Sequence, residues 1–126
     1  MYQEDYYAFR KGKLTAVRAL EGMITNVARG VFAYMVMLTN LGRGEESKFL
    51  ECIRTKVFDI RAKIGDDTTQ EGLDELANDM KGIYYELNTA YLFLRAHKPD
   101  EAIILQSVTN DACGLIYVIK HFKDPV

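Results

Sequence analysis

No proline occurs before Pro99, and only Pro125 follows it. Proline is the residue that most reliably interrupts a helix, because it lacks a backbone N–H and clashes with the preceding turn. The long stretch it leaves unbroken carries apolar residues at steps of three and four, the spacing of one face of a 3.6-residue helix. Over 69–95 the pattern is plainest: Leu73, Leu76, Met80, Ile83, Leu87, Ala90 and Leu94 alternate those steps along the whole segment. Such a heptad-like seam suits near-parallel helix packing. The body of the chain reads as helix throughout.

Four long helices are placed on this basis. The first covers 15–41, with Leu20, Met23, Ile24, Val27, Val31, Tyr34, Met35, Leu38 and Leu41 on one face. Ala28, Phe32 and Val36 widen that stripe, which predicts a central helix touched on more than one side. Gly22 and Gly30 each cost about 1 kcal/mol against alanine inside a helix, so they mark a close approach or a kink. Gly42-Arg43-Gly44 ends this helix. A second helix over 45–64 turns Phe49, Ile53, Val57, Ile60 and Ile64 inward, and Glu46, Arg54, Asp59, Arg61 and Lys63 toward solvent. After the Gly65-Asp66-Asp67 break, Thr68 and Glu71 have the spacing of a capping box, which opens the third helix over 69–95. Tyr84, Tyr85, Tyr91 and Phe93 lie beside or beyond its seam and supply more apolar surface than one seam requires. Lys98-Pro99-Asp100 makes a tight corner, with Pro99 acceptable in a first turn. The fourth helix, 99–122, buries Ile104, Val108, Ala112, Leu115, Ile119 and Phe122, and Ile103 and Ile116 extend its apolar face. Helices of this length with short connections predict an all-α, antiparallel four-helix bundle in one domain, 1–126.

Residues 1–14 stand apart as a short aromatic arm. Tyr2, Tyr6, Tyr7 and Phe9 crowd a terminus with no helical or strand period of its own, where frayed polar sequence is the norm. The rings either dock reversibly on an apolar surface or finish the bundle core permanently.

A net charge of −2 gives no general attraction to nucleic acid or to an anionic membrane. No apolar run reaches 18 residues, and the start, with Glu4 and Asp5, has no hydrophobic stretch of the secretory kind. Cys52 and Cys113 are too few and too far apart for a disulfide framework or a zinc site. They read as small core hydrophobes in a reducing compartment. The expected location is the cytoplasm.

Enzymatic chemistry on a helical bundle finds no support. A di-iron site needs Glu-x-x-His pairs, whereas Leu94 and Val118 stand three residues before His97 and His121. A phosphotransfer histidine should sit mid-helix, yet His97 precedes Lys98-Pro99 and His121 lies in a terminal turn. Asp66 and Asp67 are turn residues. Gly42-Arg43-Gly44 is too short for a phosphate loop and follows a helix rather than a strand. No catalytic centre, metal site or cofactor site is expected. Binding through apolar surface is.

Three stretches give the chain a family likeness. Met1-Tyr2, Tyr6 and Ala8-Phe9 resemble the Met-Tyr opening and Tyr-x-Ala-Tyr segment of the flagellin export chaperones (FliS). Leu76-Ala77-Asn78-Asp79-Met80 with Ile83-Tyr84 resembles that family's Ile/Leu-Ala-x-Asn-Leu…Leu-Tyr helix. Leu92 to Ala102 with Ile103 resembles its helix-turn-helix. The chain departs from the pattern at Glu71-Gly72, where the family has Gly-Gly, and at Tyr117, nearest to its usual tryptophan. The resemblance implies a cytoplasmic, non-enzymatic chaperone that holds the disordered C-terminal segment of flagellin, or of a flagellin-like client, against apolar grooves and prevents premature polymerisation. It also implies that the arm residues Tyr2, Tyr6 and Phe9 cover part of that surface in the free protein, with Tyr84 and Tyr91 among the client contacts. The alternative is a helical adaptor or regulatory bundle for another partner protein.

Overall fold

Every regular element of the computed structural model, which describes residues 3–124, is helical. In chain order these are α1 (Gln3–Arg10), α2 (Ala16–Asn40), a 3₁₀ turn (Gly44–Ser47), α3 (Lys48–Lys63), α4 (Gln70–His97) and α5 (Pro99–Lys120). Tyr2 lies outside the described residues.

The segment expected to lack helical period is α1, which corrects the arm reading. Glu4 and Asp5 in its first turn and Arg10 in its last complement the helix dipole. Tyr6 and Phe9, three residues apart, share its inner face. Gly12, at φ 74°, closes it. The Gly12 amide donates to the Phe9 carbonyl (3.0 Å) and the Lys13 amide to that of Ala8 (2.9 Å), a Schellman pair. The same device ends α2: Gly42 has φ 73°, and the amides of Gly42 and Arg43 reach the carbonyls of Thr39 and Leu38.

Helix starts follow equally local rules. The Thr15 hydroxyl accepts from the Arg18 amide and that of Thr69 from the Gly72 amide (3.0 Å). The N-cap is Thr69 rather than Thr68, and with Gly72 at the third helical position the expected capping box does not form. Thr68 instead closes the preceding loop, accepting from the Gly65 amide and donating to the Lys63 carbonyl, so its own backbone amide bonds to Gly65 rather than to Glu71. Thr69→Ala should therefore cost about 1 kcal/mol in urea unfolding. An unchanged midpoint would show that Thr69 does not hold the α4 start.

α2 packs against α1, α3 and α5, and α4 against α3 and α5. Lys98 alone separates α4 from α5, and the Gln70 side-chain amide donates to the Lys120 carbonyl. That pair is a tight hairpin whose far ends meet. Gly30 brings α2 against α5, since a Cβ there would overlap the Cγ2 of Val108. Gly114 does the same beside Met23 and the Tyr6 ring. The core that results includes Leu20, Val31, Leu50, Leu73, Met80, Leu105 and Leu115. On α3 the inward residue is Leu50, and Phe49 is exposed, because one residue turns the helix face by about 100°. Leu41 and Ile103 are exposed rather than inward, as are Phe32 and Val36. Arg61, expected in solvent, pairs with Glu21 and ties α3 to α2.

α5 is wrapped on most sides. Ala102, Leu105, Val108, Thr109, Asp111, Ala112, Gly114, Leu115, Val118 and Ile119 are all buried. Among the described residues it is the one helix long and apolar enough to cross a membrane, with a mean hydropathy of 1.5 over the relevant window. Half of that window is buried inside the protein, so contact with α4, α2 and α1 accounts for its apolar character.

Candidate functional site

The two cysteines are not core residues, as their sequence reading had them. Both are free and exposed, and Cys52 stands in the wall of an open apolar groove of about 760 Å³. Tyr34 and Leu38 of α2 and Leu105 of α5 line it from the core side, and Phe49, Cys52 and Lys56 line it from α3. The opposite wall is α4, through Tyr85, Glu86, Thr89, Ala90, Phe93 and Leu94. The groove lies where the N-terminal half of α3 faces the C-terminal half of α4.

Three rings remain open to solvent on this surface: Phe49 at 41%, Tyr85 at 54% and Phe93 at 61% exposure. An apolar cleft bearing solvated aromatic side chains is the form taken by helix-binding grooves. Phe93 meets His97 at 4.5 Å between ring centroids with the planes tilted by 41°, so that histidine extends the aromatic lip. Lys56 and Glu86 approach within 3.5 Å across the groove, a solvated pair of small energetic weight.

One part of the groove wall is clamped by Arg43. Its guanidinium donates to both Glu46 oxygens, at 2.5 and 3.0 Å, and to Glu101 on α5 at 2.7 Å. Those hydrogen bonds, Glu46 first and Glu101 second, raise the arginine pKa further above its ordinary value. In return, Arg43 lowers that of Glu46. Burial first, and the Glu101 carboxylate second, raise the phenol pKa of Tyr34, so it stays a neutral groove-floor ring. The fork geometry fixes the α2–α3 connection against α5 and with it the groove's shape.

The residues singled out from the sequence lie elsewhere. Tyr6 and Phe9 meet the edge of Tyr117 at 5.8 and 6.0 Å. Phe9 is 8% exposed and belongs to the core. Along α5, Tyr117 and Gly114 are nine or more residues from Leu105, about 14 Å or more at 1.5 Å per residue. The arm therefore does not cover the groove. Tyr84 and Tyr91 are partly buried against the core. Their positions on the α4 wheel fall on the opposite flank of the buried seam from Tyr85, Thr89 and Phe93. In the sequence, Tyr85 and Phe93 stand out as surplus apolar surface beside the α4 seam. Nothing there marks Arg43 as a clamp or Phe49 as a groove lip.

No protein-family model, no curated protein and no solved structure matches the chain.

Proposed function

We propose that this protein is a cytoplasmic, non-enzymatic export chaperone of the flagellin-chaperone type, an antiparallel four-helix bundle supplemented by α1. Its groove takes the disordered C-terminal segment of flagellin, or of a flagellin-like client, as an amphipathic helix. The observation that carries this reading is the groove itself, with Phe49, Tyr85 and Phe93 standing solvated along a cleft of about 760 Å³. A client helix placing apolar residues at three- and four-residue spacing would bury all three rings while its polar face met Lys56 and Glu86. A segment continuing around α4 would reach Tyr84 and Tyr91 on the far flank.

Calorimetry against the C-terminal peptide of flagellin tests the assignment. Saturable binding with a negative heat-capacity change is expected, the mark of apolar burial coupled to folding. No heat at peptide concentrations of tens of micromolar would reject flagellin as the client. A second reading, a helical adaptor for another partner, is favoured by one observation: α1 packs well away from the groove, unlike an arm that covers a client surface.

Phe93→Glu and Tyr85→Glu should each weaken client binding by about 30-fold or more, the loss of one aromatic hot spot. Neither should move the melting temperature by more than a degree or two, since surface changes fall within about 0.5 kcal/mol. Equal affinity in both variants would place the client elsewhere.

A further inference from the structure

Beneath α1, separate from the groove, lies a second cavity of about 280 Å³, lined by Gln3, Tyr6 and Tyr7 of α1, Met23 of α2, and Asn110, Asp111, Cys113 and Gly114 of α5. Asp111 is 1% exposed, and neither carboxylate oxygen has a hydrogen-bond partner among the described residues. A buried carboxylate without a partner is among the costliest groups a fold can hold. Among the described residues the charged neighbour that acts on it, Asp5, carries the same sign. Arg10 sits over the rings of Tyr6 and Tyr117, at 5.9 and 5.8 Å, rather than against Asp111.

We propose that this cavity is a receptor for one organic cation, a guanidinium or primary ammonium group, held by Asp111 with Asp5 supplying a second negative charge. The carboxylate offers acceptors for a forked donor. The Tyr6 and Tyr7 rings, with centroids 5.3 Å apart, line the same cavity, and aromatic rings attract cations. The side-chain carbonyls of Gln3 and Asn110 can accept hydrogen bonds from its remaining N–H groups. A metal ion fits less well: no group of three or more His, Cys, Asp or Glu that could hold one occurs among the described residues. Burial, then Asp5, pushes the Asp111 carboxyl up to about 6, and an entering cation opposes that shift by pairing the charge.

The test is amide NMR on the full chain at neutral pH, titrating ethylguanidinium chloride against ethylurea at matched ionic strength. Ethylguanidinium should shift the amides of Asn110 and Gly114 saturably in the low millimolar range, as expected for a small ligand making one charged contact. Ethylurea should not. Asp111→Asn, nearly isosteric and checked for retained helicity, should weaken binding about tenfold or more, with Asp5→Asn giving a smaller loss. Affinity should also fall as pH drops below about 6, where Asp111 is protonated. The absence of a saturable shift, or the same curve for Asp111→Asn, would overturn the proposal. A lysine- or arginine-bearing client peptide that displaces ethylguanidinium identifies the cation as a partner's side chain. Simultaneous occupancy identifies it as a free amine. Either result keeps the site.

Discussion

Phe9→Ala is expected to lower the melting temperature by roughly 10 °C, from a loss of about 3 kcal/mol. Phe9 is buried against Tyr117, on a helix whose end is closed by the Gly12 Schellman pair. Truncation would leave a void between α1 and α5 or release the helix altogether. Release sets the ceiling. An eight-residue helix is marginal in isolation, and ordering it costs about 1–2 kcal/mol per residue in backbone entropy. The burial of Phe9 and Tyr6 must offset that cost. Once Phe9 is gone α1 should lift away, and Phe9→Ala should behave like deletion of residues 1–10. Tyr7→Ala is the control, because Tyr7 is 52% exposed and its loss should stay within about 0.5 kcal/mol. If Phe9→Ala melts with the parent protein, α1 is displaceable and not part of the core.

Asp111→Asn should remove a pH dependence of similar size. The folded state raises this carboxyl from 3.8 to about 6, so the native protein binds the proton more tightly than the unfolded chain does. Its stabilising contribution is therefore complete below about pH 4 and disappears as pH rises through about 6. At about 1.4 kcal/mol per pKa unit, the parent loses roughly 2–3 kcal/mol between pH 4 and pH 7.5 from this group. Asparagine cannot ionise. The stability difference between variant and parent should move by that amount in the variant's favour over the same interval, measured by urea unfolding. Parallel pH profiles would mean that Asp111 is solvated or already paired in solution.

Where the determinants are local, the sequence guides to within a residue, as Thr68 and Thr69 at the start of α4 illustrate. Thr15, Gly42 and Pro99 set helix ends through the φ each position needs or the donor it lacks or satisfies, and the seam from Leu73 to Leu94 marks the buried face of α4 over its full length. The failures share a cause as well. α1 is too short for a period to be counted, and an eight-residue helix persists only because α2 and α5 receive Phe9 and Tyr6. Phe49 and Leu50 are adjacent apolar residues, and only the direction from which α2 and α4 approach α3 decides which one is inside. Cys52 and Cys113 look like core residues by type but fall on faces that the bundle leaves open. Asp111 lies within an apolar helix whose burial on several sides is a property of its neighbours. The groove is more remote still from any one segment. Its walls come from α2, α3, α4 and α5, its shape from Arg43 reaching Glu101 across the fold. Helix periodicity fixes which residues can face inward on each helix. The angles and separations between helices decide which of them do, and those are set by close approaches such as Gly30 against Val108, which the sequence records only as a glycine.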